Sequence, residues 1–325
     1  MEILDRVRIA KQATIPLAAT DSNKKNIALR SIAEGLLRRK EEIIKANNID
    51  LERSKKENLP TPLLKRLKFG KEKIREVIAG IDSLITLDDP VGQTRLATEL
   101  DTGLELYRIS CPIGLIGVIF ESRPDALVQI STLCLKSGNG VLLKGGSEAM
   151  KTNRILADII IDSAVEAGIP ARWAALWETR ADVDEMLKMD RYIDLLIPRG
   201  SNDFVRYIMD NSKIPVLGHA DGICHCYVDE DADLDMAIKV VVDSKTQYVA
   251  VCNATETLLV HEKIAAQYLP KLKETLDGKK VEMVGCPKTR AIISITPATD
   301  DDWKTEYLDS KLSIKVVPGL DEAIE

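Results

Sequence analysis

Apolar residues fall at three- and four-residue spacing over 1–17, 22–47 and 61–87, with Lys and Glu between them, and this predicts three amphipathic helices. Ser22 or Asn23 offers a cap for the second, and Pro60 and Pro62 punctuate the approach to the third. These helices carry packing and no evident chemistry. After Pro90 the period changes. Segments 96–101 and 104–110 alternate around Thr102-Gly103, a hairpin signal. Strands then follow at 113–120, 140–144, 173–177, 192–197 and 215–218, with helices at 124–136, 147–167, 181–189 and 202–211 between them. Strands alternating with helices imply a parallel sheet covered on both faces. Beyond Gly218 come a strand at 224–228, a helix at 234–245, a loop carrying Cys252, a strand at 256–260, a helix at 262–276, and strands at 281–285 and 312–317. The expectation is an α/β protein of two domains, 1–218 with the 96–110 hairpin inserted, and 219–325.

A length of 325 residues agrees with two domains. The net charge of −6 is dispersed in sign along the chain, whereas binding a nucleic-acid backbone needs a concentrated basic face. The run Leu36-Leu37-Arg38-Arg39-Lys40 is flanked by Glu34, Glu41 and Glu42 at helical spacing, so it reads as a solvated helix face. No apolar run reaches the length of a membrane span, and the N-terminus has no apolar signal core. Neither nucleic acid nor a membrane is expected as a partner, and the cytoplasm is the expected compartment. The six cysteines (Cys111, Cys134, Cys224, Cys226, Cys252, Cys286) are scattered without a CxxC pair, which suits reduced thiols.

Three strand ends carry candidate chemistry. The strand at 140–144 runs into Lys144-Gly145-Gly146-Ser147, where two glycines permit close backbone approach and Ser147 can cap the next helix. A helix start beside a lysine suits a phosphate or a ribose. The G-x-G-x-x-G fingerprint is absent, and alone this segment reads as an ordinary strand-to-helix turn. A second such turn, Arg199-Gly200-Ser201-Asn202, shifts the balance towards a dinucleotide at the carboxyl ends of the strands. The third end is Glu121-Ser122-Arg123-Pro124. Charged groups there are costly in a core and fit a cleft better.

The histidines, His219, His225 and His261, stand at no triad spacing. In Cys224-His225-Cys226 the side chains alternate across a strand, and ligands for a closed metal site are missing, so two small buried thiols are expected there and no metal. Cys252 follows a short loop and precedes an alternating apolar strand. Cysteine is the side chain most easily made strongly nucleophilic near neutral pH. Asn253 and nearby backbone N–H groups are suited to stabilise an oxyanion and to lower a thiol pKa. Unpaired cysteines are also common as inert core residues, and spacing alone leaves both readings open.

Five ordered segments together resemble a known family: 111–124, 143–149, 197–201, 214–222 and 252–261. They are similar to the gamma-glutamyl phosphate reductases (glutamate-5-semialdehyde dehydrogenases), a branch of the aldehyde dehydrogenase superfamily, from about the first helix to Glu325. The resemblance implies a Rossmann-type cofactor domain, an α/β catalytic domain and a small oligomerisation hairpin, in a homo-oligomer. It implies reduction of L-glutamyl 5-phosphate by NADPH to L-glutamate 5-semialdehyde and phosphate, in proline biosynthesis. Cys252 would form the thioester and Asn253 would steady the tetrahedral intermediates. Lys144, Gly145, Gly146 and Ser147 would hold the adenosine ribose and its 2′-phosphate, which an acid at Ser147 would repel. Gly200 and Ser201 would support the pyrophosphate, and Arg123 and His219 would meet anionic groups of the substrate.

The chain departs from the family at Val249, usually proline, and at Thr255, often a larger apolar residue. The family also continues past the equivalent of Glu325, so the resemblance implies a catalytic domain shortened at its C-terminus and a hairpin lacking a partner strand. Two rival readings remain: a CoA-acylating aldehyde dehydrogenase, and a non-catalytic fragment that binds nucleotide or only assembles.

Overall fold

The computed structural model describes residues 3–121, 123–178, 181–200, 202–218 and 221–325. The chain divides into two compact units, Met1–His219 and Ala220–Glu325.

The first unit begins with α1 (Ile3–Ala18), α2 (Ser22–Arg38), α3 (Lys40–Lys56), α4 (Thr61–Leu67) and α5 (Lys71–Thr86). Each of the two longer helices expected from the apolar period is broken in two. The first break lies at Arg39, whose N–H turns back to the Gly35 carbonyl. The second lies at 68–70, where Asn47 on α3 captures both backbone partners: its Nδ2 donates to Leu67 O at 2.9 Å, and its Oδ1 accepts from Phe69 N at 2.8 Å. The cap of α2 is Asp21, which accepts from Lys24 N at 2.8 Å, rather than Ser22 or Asn23.

β1 (Thr94–Asp101) and β2 (Leu104–Ile109) form the antiparallel hairpin, turning at Gly103 with φ +77°, where a side chain would be strained. Every residue of both strands is exposed, so their alternation marks no face buried within this unit.

The α/β units follow as β3 (Leu115–Ile119), α6 (Pro124–Lys136), β4 (Gly140–Lys144), a 3-10 turn at Ser147–Ala149, α7 (Met150–Glu166), β5 (Ala174–Trp177), α8 (Ala181–Leu187), β6 (Leu195–Pro198) and α9 (Asn202–Asn211). All four strands are parallel, in the order β5-β4-β3-β6. The strand expected at 215–218 amounts to a single bridge from Val216 to Leu196. Alternate β3 residues feed different cores. Ile116 and Val118 pack with α2, α5, α6 and α7, while Leu115 and Ile119 pack with α1, α8 and α9. A strand buried on both faces must be apolar throughout, and Leu115–Ile119 is.

The second unit comprises β7 (Cys224–Val228), α10 (Leu234–Thr246), β8 (Thr255–His261), α11 (Glu262–Gly278), β9 (Glu282–Gly285), α12 (Pro287–Ile292), β10 (Thr296–Pro297), β11 (Lys311–Val317) and α13 (Leu320–Ile324). Its sheet is also parallel, in the order β10-β9-β11-β8-β7, and every residue of β8 is buried. Cys224 and Cys226 are half-buried rather than core thiols, because β7 is the edge strand. Two parallel sheets sheathed in helices realise the expected α/β class. No helix among the described residues is long and apolar enough to cross a membrane.

Candidate active site

In the first unit, the strand order sets the three candidate turns side by side. Ile119 pairs with Lys144 on one flank and Pro198 on the other. Beyond these pairs, Phe120 N donates to Lys144 O at 2.9 Å and Arg199 N to Ile119 O at 2.7 Å. The ends of β3, β4 and β6 therefore form one edge. Lys144 is buried, and its Nζ donates to Gly145 O at 2.6 Å. The space a Cβ would need at Gly145 is taken by the Asn153 amide, and at Gly146 by the Glu148 carboxylate. Ser147 does not cap the following helix. Asp50 on α3, fully buried, accepts from Thr152 N at 2.7 Å and Thr152 Oγ1 at 2.8 Å, satisfying the first turn of α7 from 102 residues away in the chain.

A small cavity lies at this edge, lined by Gly145, Gly146, Ser147, Asn153, Trp177 and Glu178 among others. Asn153 Oδ1 is buried there and has no hydrogen-bond partner among the described residues. At the end of β5, Glu178 takes a forked contact from Arg154, at 2.9 and 2.7 Å. Glu121 stands by the second turn, 3.2 Å from where a Cβ on Gly200 would lie. Desolvation by the surrounding atoms and then the neighbouring Glu148 push the Glu121 carboxyl above its ordinary value, with Arg66 opposing. Arg123 is exposed, and its Nη2 lies 3.4 Å from Asp125 Oδ2 at the start of α6. Ser122, Ser201 and His219 lie outside the described residues.

In the second unit, Cys252 and Asn253 occupy the loop between α10 and β8, and both are exposed. Ala254 N donates to Val251 O at 3.0 Å, closing a turn around the pair. Cys134, by contrast, is a true core thiol, and burial pushes it up to about 12. Two groups hold the Cys252 backbone. Cys224 Sγ donates to Cys252 O at 3.3 Å, and Gly222 packs so close that a Cβ there would strike that same carbonyl. Partial burial, and then Cys252, raise the Cys224 thiol.

Behind the loop lies a pair that periodicity did not single out. Lys245 and Glu256, both fully buried, meet at 2.6 Å. The one clue in the sequence was a charged residue, Glu256, at the head of the strand that runs into Leu258-Leu259-Val260. Asp50 and Asn153 were missed likewise, because each acts on residues remote in the chain or buried by them. The structure thus gathers Glu121, Lys144, Gly145, Gly146, Ser147 and Gly200 at one sheet edge, and Cys252 with Asn253 on one loop.

The model of the aldehyde dehydrogenase family matches residues 1–302. The chain is 69% identical over 325 residues to gamma-glutamyl phosphate reductase of Acetivibrio thermocellus, covering 100% of this chain and 75% of that protein. It is 50% identical over 335 residues to the enzyme of that name from Methanococcoides burtonii, with 100% and 75% covered. Among solved structures, gamma-glutamyl phosphate reductase from Thermotoga maritima superposes with a TM-score of 0.94 at 41% identity, over 100% of this chain and 79% of that one. An acetylating aldehyde dehydrogenase from Geobacillus thermoglucosidasius, 17% identical with a TM-score of 0.65 over 99% of this chain and 76% of that one, shares the fold.

Proposed function

The chain belongs to the aldehyde dehydrogenase family, on its gamma-glutamyl phosphate reductase branch, and from that premise we propose that it reduces L-glutamyl 5-phosphate through a thioester on Cys252. It is an oxidoreductase of proline biosynthesis with a small-molecule substrate and a nicotinamide cofactor. The observation that carries the mechanism is the exposed Cys252 in a loop tied at its carbonyl by Cys224 and Gly222.

The Cys252 sulfur, as thiolate, attacks the acyl carbon. The carbon–oxygen bond to phosphate breaks and inorganic phosphate departs, leaving the glutamyl group on sulfur. Phosphate leaves readily from the acyl carbon, and because the thioester is resolved by reduction rather than hydrolysis, no base is required to activate water. The Asn253 amide and the Cys252 N–H donate to the oxyanion that forms at each tetrahedral stage. When bound, the nicotinamide supplies the hydride that takes the acyl group to the aldehyde level. The carbon–sulfur bond then breaks, and Cys252 leaves as thiolate, ready for another cycle.

The first unit, 1–218, serves as the cofactor domain, and 219–325 as the catalytic domain. The orphaned Asn153 Oδ1, beside the Gly145-Gly146 turn, supports a hydrogen-bond donor of the ligand approaching this edge. Lys144, Gly145, Gly146 and Ser147 hold the adenosine ribose. Serine rather than an acid at 147 supports NADPH over NADH, because a carboxylate there would repel a 2′-phosphate. Gly200 and Ser201 support the pyrophosphate, and Arg123 and His219 meet the substrate's anionic groups. The exposed apolar residues of the hairpin, among them Leu96, Leu100, Leu104, Leu106 and Ile109, support assembly into a homo-oligomer.

The reverse assay tests the reading. Oxidation of glutamate 5-semialdehyde should require NADP and inorganic phosphate together. Turnover with Coenzyme A and none with phosphate would overturn it.

A further inference from the structure

The loop that carries the nucleophile is clasped at both of its roots. Lys245 is the penultimate residue of α10, and Glu256 is the second residue of β8. Their side chains close a 2.6 Å contact across the base of the intervening loop, with both fully buried. Glu256 is itself fixed from behind. Its Oε1 accepts from Leu308 N at 3.2 Å, and its backbone carbonyl accepts from Ser313 Oγ at 3.0 Å on β11. A second clasp is made by the residues that immediately precede the two members of the pair: Thr255 Oγ1 donates to Ser244 Oγ at 2.9 Å.

A buried ion pair is a poor source of stability, since desolvating two charges offsets most of their attraction. Apolar residues of similar volume would usually serve the core as well. What the pair has that an apolar contact lacks is a fixed length and direction. We propose that Lys245 and Glu256 are positioning residues for the proposed thioester chemistry: their buried pair joins the two roots of the Cys252 loop and fixes the pose in which the thiol meets the acyl carbon. The pair carries no net charge, and its proposed action is geometric, separate from the field by which Glu256 helps to raise the neighbouring Cys224 thiol. Cys224 and Gly222 hold the Cys252 carbonyl from β7 and the segment before it, and the pair holds the loop's base. The inference rests on the thioester reading for its consequence in turnover, and on geometry alone for its consequence in loop order.

The test compares Lys245→Met, Glu256→Gln, the double variant Lys245→Met/Glu256→Leu, and Glu256→Asp, which keeps the charge and shortens the reach. Three quantities are read: amide hydrogen exchange of 247–254 against that of β8 and β11, alkylation of Cys252 by iodoacetamide relative to exposed Cys111, and kcat and KM in the phosphate-dependent reverse assay. Loss of pose predicts that exchange in the loop rises ~10-fold in the double variant and less in Glu256→Asp, while β8 and β11 stay protected. It also predicts that kcat falls ~10- to 100-fold with KM nearly unchanged, since a misplacement near 1 Å carries a penalty of that size.

Wild-type loop exchange and kcat in the folded double variant would overturn the proposal. If that variant does not fold, the same result in Glu256→Asp would do so. A third pattern also overturns it, in favour of a charge effect: alkylation of Cys252 moving in opposite directions in the two single variants and returning to normal in the double. Exchange and alkylation need no substrate. A failure of the reductase reading therefore appears only in turnover, and a failure of the clasp appears in the loop.

Discussion

The two units present their candidate chemistry at different ends of parallel strands, the carboxyl ends in the first and the amino end of β8 in the second, and they hold it by different means. At the edge of β3, β4 and β6 the candidate groups are mostly backbone: turns at Gly145, Gly146 and Gly200, ordered by the sheet register itself. At the start of β8 the candidate group is one side chain, Cys252, and the loop bearing it is held by a buried ion pair and a thiol. A site made of main chain is tolerant of side-chain change but depends on what caps and crowds it. A site made of one sulfur depends on that atom and on the pose of its loop.

This contrast can be broken most sharply at Cys252. Cys252→Ala should lower turnover at least ~10⁴-fold, the scale on which a covalent nucleophile is lost, while NADP affinity, measured by fluorescence quenching, stays unchanged. A fall in affinity of the same size would erase the distinction between the two half-sites. Next comes Asp50, the buried cap of α7. Asp50→Ala leaves the amide of Thr152 without its acceptor and should destabilise the first unit by about 2 kcal/mol in a urea titration. Cofactor binding should weaken with it, whereas alkylation of Cys252 should not change.

Ser147→Glu has a smaller and more selective effect. A carboxylate beside the 2′-phosphate should weaken NADP roughly 10-fold and leave NAD almost untouched. Equal loss for both would place the 2′-phosphate elsewhere. Smallest is the effect of Glu121. Its carboxyl is raised, so its neutral form suits the fold and its charged form is penalised. The favourable contribution is present in acid, below the ordinary carboxylate value, and is lost as pH rises through the elevated one. Glu121→Gln should therefore raise Tm relative to the parent near neutral pH and lose that advantage towards pH 4. An advantage constant across that range would contradict the assignment.

Much of this architecture was legible because period reports burial. Leu115–Ile119 is apolar at every position, and it proved to be buried on both faces of a sheet. Legibility failed where a distant side chain decided the matter. The apolar stripe continues through Phe69, and although Gly70 is a local breaker, nothing nearby announced that Asn47 on α3 pins the break. Ser147 looked like a cap by position, yet Asp50 had already taken the amides. The hairpin alternates like a half-buried strand pair, but its apolar side has no cover within its own unit. In the thiol loop, a cysteine before an apolar strand could be read directly. Lys245 and Glu256 could not, because charged residues pattern as solvent-facing until their partner is known.

The account turns most directly on whether the glutamyl group is ever bonded to the sulfur at 252. Mixing the protein with the acyl phosphate while withholding NADPH, quenching in acid and mapping peptides by mass spectrometry reads that bond. The prediction is a hydroxylamine-labile glutamyl adduct on the Cys252 peptide, formed with release of one equivalent of phosphate. An adduct on another residue, or phosphate release with Cys252 unmodified, would contradict it.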